Sequence, residues 1–326
     1  MSVEGGNKAV VAALLANTGI AITKFGAFAL TGYASMLAEA IHSVADAGNQ
    51  GLLLVGSKRS KRDATEEHPY GFGRERYIYA FIVSIVLFSV GGLFALYEAY
   101  HKWHEIHGGH SAGLDGKWRL VPLFVLGIAI VLESLSFRTA ITETNKVRGD
   151  NTWIGFIRRA KAPELPVILL EDFAALVGLV VAFASVSLAL LTDNEYFDVV
   201  GAATIGVLLI VVAIVLAIEV KSLLVGESAS REAIARMRKA IEGTTGVSQI
   251  IHMKTLHVAP EELLVAVKIG VDESATASDI ATTIDTVEHN LRTAEPMAHN
   301  VYIEPDVFRK DYVRDERPET PSAPSH

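Results

Sequence analysis

The chain has 326 residues, half of them apolar, and a formal net charge of −8 at pH 7. It contains no cysteine, which excludes disulfide bonds and thiolate metal ligands. The sequence has no basic patch interleaved with aromatic residues, so we expect no nucleic-acid partner. Neither length nor composition distinguishes a soluble protein from a membrane protein here. The distribution of the apolar residues along the chain distinguishes the two classes.

The apolar residues are concentrated in six runs before residue 227, each long enough to cross a bilayer, which takes roughly 20 residues. The first run is too long for a cleavable signal peptide and lacks a clear cleavage site, so we interpret it as the first span. The sequence therefore predicts a transmembrane domain of six helices over residues 1–226. The runs are Ala9–Thr31, Ser35–Ser57, Tyr77–Tyr100, Leu120–Thr142, Pro166–Leu191 and Val199–Leu224.

The connections between these runs differ in their basic charge. Lys and Arg are frequent after the second and fourth runs and in the chain that follows the sixth, and they are scarce in the opposite connections. Cytoplasmic connections of membrane proteins carry the excess of Lys and Arg. We therefore expect a multi-pass protein of the cell membrane with both termini in the cytoplasm.

The second predicted span carries one stripe of polar residues. Glu39, His42, Asp46, Asn49 and Gln50 recur at steps of three and four, which places them on one face of a helix. His42 and Asp46 lie one turn apart, and an imidazole and a carboxylate at that spacing can hold a divalent cation such as zinc, cobalt or manganese. Hydrogen bonding between helices is the alternative interpretation of the stripe.

Two adjacent acids, Glu171 and Asp172, lie in the fifth predicted span. Carboxylates in hydrocarbon need a cation, a proton or water, unless the pair lies at the cytoplasmic interface. Neighbours on a helix point about 100° apart, so one acid can complete a metal site while the other binds a proton or another helix. Glu133, in the fourth span, could be an outer ligand, a proton carrier or a neutral hydrogen-bonded group. Lys24, in the first, is expected to snorkel or to pair with an acid.

Three segments in the same order resemble motifs of the cation diffusion facilitator family. Residues 38–50 (AEAIHSVADAGNQ) resemble its second helix, and residues 68–76 (HPYGFGRER) resemble its loop before the third. Residues 169–178 (LLEDFAALVG) resemble the fifth helix of the branch that includes zinc transporter nine. The resemblance covers the six spans. It implies a homodimer that exports a divalent metal, expected to be zinc, from the cytoplasm in exchange for protons by alternating access.

The resemblance also implies which residues bind the metal. His42 and Asp46 match the two ligand positions of the second helix, and Asp172 matches the second position of the fifth. The first position of the fifth helix is Ile168, so the usual set of four is one ligand short. The candidates to replace it are Glu171, Glu133 and water. The predicted metal site comprises His42, Asp46, Asp172 and Glu171.

After Gly226 the composition changes, and charged residues become frequent and evenly spread. Residues 227–310 are predicted to form a small α/β domain, and residues 311–326, rich in Pro and Ser, a disordered tail. The resemblance implies a ferredoxin-like fold that dimerises, and His252, Glu304 and Asp306 stand where some relatives place metal ligands. The predicted elements are Arg231–Glu242, Val247–Val258, Leu263–Val271, Ala277–Arg292 and Asn300–Ile303, in the order helix, strand, strand, helix, strand.

A regulator and an enzyme are the two functions to weigh against transport. A metal-binding membrane regulator without a transport cycle is the main alternative, because one ligand of the usual set is missing. An enzyme is not expected, since the sequence has neither a His-Glu-x-x-His pattern nor a nucleophile elbow, and no cofactor is expected besides the transported metal. His101, His104, His107 and His110 lie in the connection after the third span, either as a solvated loop or as a place that catches released metal.

Overall fold

The computed structural model describes residues 3–31, 34–108 and 120–309, without the side chains of residues 3–9, 27, 28, 30, 31, 34–42 and 88. The described chain forms two compact units. The first runs to Glu227 and includes residues 257–262, and the second holds the rest of the chain after Glu227. The predicted tail at 311–326, and His110, lie outside the described residues.

The first unit is helical. Among the described residues, four helical stretches are long and apolar enough to cross a membrane, namely 75–107, 121–148, 164–192 and 196–225. The first two predicted spans coincide with α1 and α2, and their membrane crossing stays a prediction. The helices are α1 (Val3–Thr31), α2 (Ala34–Arg59), α3 (Glu75–Val86), α4 (Phe94–His107), α5 (Val121–Arg148), α6 (Trp153–Arg159), α7 (Glu164–Thr192) and α8 (Tyr196–Val225).

A π-helical segment, Leu87–Leu93, joins α3 to α4 within one continuous helical stretch. It packs closely on α8 because both sides carry glycine. A Cβ atom on Gly92 would lie 2.5 Å from Ile210 Cγ1, and one on Gly206 would lie 2.8 Å from Leu96 Cγ. Such separations are too short for any side chain, so these glycines let the two helices approach.

The short helix α6 was not predicted from the sequence. It begins after Thr152, whose hydroxyl accepts a hydrogen bond from the N–H of Gly155. An N-cap of this kind satisfies one of the free amide groups in the first turn of a helix. This N-cap lets a helix as short as Trp153–Arg159 form in a connection whose basic residues indicate a loop.

The second unit contains α9 (Arg231–Glu242), α10 (Ala277–Ala294) and most of a sheet whose described strands follow the order β1 (Gln249–Ala259), β2 (Glu262–Val271) and β3 (Ala298–Val307). The order of helices and strands is the predicted one. β2 and β3 are parallel, with α10 as the crossover between them. Alternate residues of β2 are buried, and they form a core with apolar residues of α9 and α10.

The last strand is longer than predicted. The sequence predicts only a short last strand, Asn300–Ile303. In the structure β3 continues to Val307, with Pro305 opposite Ile269. β3 is at the edge of the described sheet, where a proline is tolerated because one side of the strand needs no partner.

Candidate metal centre

Polar side chains on three neighbouring helices meet inside the first unit. All of them except Asp46 are buried, and Gln50 and Asp172 are fully buried. Buried charged and amide groups need partners, so their mutual contacts define the site. The cluster consists of Asp46, Asn49 and Gln50 on α2, Glu133 and Ser136 on α5, and Glu171 and Asp172 on α7.

Glu171 accepts hydrogen bonds on both of its carboxylate oxygens from α2. Asn49 Nδ2 donates to Oε1 at 3.0 Å, and Gln50 Nε2 donates to Oε2 at 3.1 Å. Gln50 in turn accepts a hydrogen bond from Asn17 Nδ2 of α1 at 3.3 Å. This amide clamp ties α1, α2 and α7 together, and it uses the two polar residues at the C-terminal end of the predicted stripe on α2.

Asp172 is held differently from its neighbour. Ser136 Oγ of α5 donates to Asp172 Oδ2 at 2.8 Å. The other oxygen, Oδ1, is buried and has no hydrogen-bond donor among the described residues. A buried carboxylate oxygen without a donor is costly unless a cation or a proton reaches it. Of the two acids on α7, Asp172 is therefore the one with an oxygen to offer to a metal.

Asp46 lies on α2, half-buried, one turn before the two amides of the clamp. Its charge acts on Glu133, Glu171 and Asp172, so the structure brings these acids of α2, α5 and α7 into one electrostatic cluster. The backbone of His42 lies in α2 one turn before Asp46, and its side chain is outside the described residues. Among the side chains that are described, no group of three or more His, Asp or Glu residues is arranged to hold a metal ion.

The fifth-helix position that lacks a ligand is Ile168. It is fully buried and belongs to the apolar core of the first unit. Ile168 precedes Asp172 by four residues and therefore lies on nearly the same face of α7. An apolar residue there packs the helices and supplies no metal ligand.

Sequence reasoning missed the partners of the acids. Ser136, which orients Asp172, follows the buried Glu133 by three residues on α5 and so shares its face. That spacing was a signal in the sequence, but it does not say which acid Ser136 contacts. Ser43 of α2 was missed as well, and it accepts a hydrogen bond from Lys24.

A second buried charged group lies at the start of α3. Arg76 is bound through two nitrogens to the carboxylate of Glu164, at the start of α7. A third nitrogen donates to both oxygens of Glu261, at 3.0 and 2.7 Å. A guanidinium is suited to such bidentate contacts. The sequence assigns Arg76 to a basic cytoplasmic connection, and the structure uses it to join two helices and the segment 257–262 of the same unit.

The predicted histidine-rich loop is helical over its described part. His101, His104 and His107 lie in the last turns of α4, so the helix extends beyond the predicted end at Tyr100. His107 packs against Trp103 with 4.5 Å between ring centroids and the rings tilted by 44°, and its Nδ1 lies 3.3 Å from Tyr196 Oη. These aromatic contacts stabilise the extended helix, and they engage His107 in packing.

In the second unit, a lysine occupies the space between two of the suggested metal-binding acids. Lys268 Nζ lies 3.0 Å from Glu304 Oε1 and 2.7 Å from Asp306 Oδ2. The hydrogen bond from Lys268 lowers the pKa of Asp306. The ammonium group thus pairs with both carboxylates.

The fold and the site define a class, namely a helical membrane protein with a buried cluster of acids and a small C-terminal α/β unit. The model of the cation efflux transmembrane domain matches residues 10–225. The chain belongs to the cation diffusion facilitator family, as the three motifs predicted.

The relatives carry names of transport and metal-tolerance proteins. The mouse protein named proton-coupled zinc antiporter SLC30A9, mitochondrial, is 32% identical over 255 residues, which are 77% of this chain and 43% of that protein. Metal tolerance protein C4 of Arabidopsis thaliana is 27% identical over 78% of this chain and 54% of its own length. The chain thus spans about half the length of these two relatives. Magnetosome protein MamB of Magnetospirillum gryphiswaldense is 21% identical over 83% of this chain and 84% of its own length.

Proposed function

We propose that the chain is a secondary active transporter that exports zinc from the cytoplasm in exchange for protons. The observation that carries the proposal is Asp172, a fully buried acid with one oxygen oriented by Ser136 and the other without a donor among the described residues. A cation at that oxygen would compensate the buried charge. Membership of a cation efflux family and the name of the mouse relative support zinc and protons as the exchanged ions.

The proposed ligands are His42, Asp46 and Asp172. Glu171 would have to give up an amide hydrogen bond to bind the metal, so we propose that it supports the site by holding α2 against α7. Carboxylate and imidazole ligands bind zinc in their deprotonated forms, so protons compete with the metal for the same atoms. Protons arriving from the outer side would release the metal there, and the proton gradient would drive the cycle.

The test uses the full chain reconstituted in vesicles with an acidic interior and a zinc-sensitive dye inside. We expect zinc to enter while the pH gradient lasts and to stop entering when the gradient is collapsed. Asp172→Asn keeps the shape of the side chain and an acceptor for Ser136 but removes the charge, and we expect it to abolish uptake. Asp198→Asn is the matched control, because Asp198 pairs with Lys102 away from the acid cluster. Uptake by Asp172→Asn at the wild-type rate would refute the proposal.

One observation favours a second candidate, a membrane regulator that binds metal without moving it. Ile168 stands at a position where the family motif has a ligand, and it is packed in the apolar core. An incomplete ligand set could serve sensing rather than transport. The same vesicles distinguish the two functions, because a regulator would bind zinc in calorimetry and give no dye signal under any pH gradient.

We further propose a homodimer in the cell membrane, with six spans, both termini in the cytoplasm and a ferredoxin-like C-terminal domain. The charge difference between the connections supports the orientation. The name of the mouse relative states a mitochondrial location for that protein. Microscopy of the full chain with a C-terminal fluorescent tag, combined with protease access from the cytoplasm, would test both the membrane and the orientation.

A further inference from the structure

A buried lysine lies beside the acid cluster. Lys24 of α1 is 3% exposed, and its ammonium donates to Ser43 Oγ of α2 at 2.9 Å. Ser43 is itself buried, at 2% exposure. A lysine this far inside a membrane helix is rare and marks a functional contact by default. Of the two expectations for Lys24, snorkelling does not describe this contact, because the charged end is held inside the helix bundle, and pairing with an acid stays a prediction.

The position of the ammonium relative to the proposed ligands follows from the helix. Ser43 precedes Asp46 by three residues, which is about 4.5 Å along α2. Lower numbers on α2 lie nearer to its connection with α1, so Lys24 Nζ is bound at that end of the acid cluster. Its charge acts on Glu133 of α5. The ammonium is therefore bound about one turn from Asp46 along α2 and within electrostatic reach of Glu133 on α5.

Among the described residues, the acids of this buried cluster outnumber the lysine beside it. Four of the described acids, Asp46, Glu133, Glu171 and Asp172, interact electrostatically, and the charge of Lys24 acts on one of them, Glu133. A divalent metal bound at Asp46 and Asp172 would be attracted by the acids and repelled by the ammonium. Burial makes both effects stronger than they would be in water. A tight site that must also release its cargo benefits from a fixed opposing charge.

We propose that Lys24 is an internal counter-ion of the metal site, which lowers the affinity for the divalent metal and thereby permits its release. The inference rests on the proposed function, since it assigns a role at the same site. Lys24 is a positioning and affinity-setting residue and touches no metal itself.

The test is zinc titration calorimetry on the full chain in detergent, together with the vesicle assay. Lys24→Met removes the charge and keeps the apolar stem, and Lys24→Gln also removes the charge but can still donate to Ser43. We expect both to bind zinc about tenfold more tightly, as the loss of a like charge near the site implies, and to release it more slowly, so that KM and kcat both fall. Lys24→Arg keeps the charge and should bind zinc as the wild type does.

Lys102→Met is the matched control, because it removes a lysine that pairs with Asp198 outside the cluster. It should leave the zinc affinity unchanged. Unchanged or weaker binding by either neutral variant that folds would overturn the inference. If the wild-type chain binds zinc but does not transport it, only the proposed function is overturned. The zinc affinities of the wild type and the Lys24 variants would still decide the role of Lys24.

Discussion

The amide clamp on Glu171 can be opened by one substitution, Glu171→Ala. The change removes the acceptor of Asn49 Nδ2 at 3.0 Å and of Gln50 Nε2 at 3.1 Å. Both amides are buried, so their donors would stay unsatisfied. Glu171→Gln is the conservative counterpart. It keeps one acceptor, and its NH₂ group can donate to Asn49 Oδ1, which has no partner among the described residues, if that amide turns over.

The expected loss of stability follows from the number of hydrogen bonds. Interhelical hydrogen bonds in membrane proteins contribute about 0.6 kcal/mol each on average and at most about 1.7 kcal/mol. Two bonds make a loss of about 1–3 kcal/mol for Glu171→Ala. Glu171→Gln loses one hydrogen bond, which rotation of the Asn49 amide can restore. This variant should therefore lower the free energy of unfolding by less than about 1 kcal/mol.

The assay is denaturant unfolding of the purified chain in detergent, with zinc binding measured on the same samples. If Glu171 positions α2 and does not bind metal, Glu171→Gln should keep the wild-type zinc affinity. Glu219→Ala is the control for removal of an acid, because the contact of Glu219 with the exposed Arg158 is long, at 3.8 Å. Exposed pairs contribute about 0–1 kcal/mol. A Glu171→Gln variant that unfolds like the wild type but binds zinc tenfold more weakly or worse would identify Glu171 as a ligand and refute the clamp.

Three further outcomes are expected from contacts outside the metal centre. Arg76→Ala leaves the buried Glu164 without its partner and should destabilise the chain by about 3–5 kcal/mol in denaturant unfolding, and a result below 1 kcal/mol would contradict a structural role. Gly92→Ala places a Cβ 2.5 Å from a side-chain carbon of α8 and should lower stability by about 1–3 kcal/mol in the same experiment, with Gly26→Ala, in open space, as the neutral control. Hydrogen bonds from the Thr276 side chain and backbone lower the pKa of Asp279, so its stabilisation of α10 is complete above the pKa of the unfolded chain and is lost as the pH falls through the folded one. The difference in melting temperature between the wild type and Asp279→Asn should therefore shrink toward acidic pH. A difference that grows toward acidic pH would contradict this direction of the pH dependence.

Local patterns in the sequence were sufficient for much of the architecture. Apolar runs of membrane length predicted where α5, α7 and α8 lie, because hydrocarbon requires a helix to bury its own backbone groups. A high content of β-branched residues predicted β2, and the rise in charged residues after Gly226 separated the two kinds of composition. The family membership was predicted from three short motifs, because three motifs in the right order are more specific than any one of them alone.

The pairing of the polar groups depended on the tertiary structure. Helical periodicity placed Asn49 and Gln50 on the stripe with Asp46, but it could not say that their amides clamp Glu171 and leave Asp172 to Ser136. The reason is that periodicity describes one helix at a time, whereas a hydrogen bond joins side chains whose distance depends on how two helices pack. For the same reason the sequence alone indicated a lysine in the first span, and only the packing of α1 against α2 placed its ammonium beside the acids.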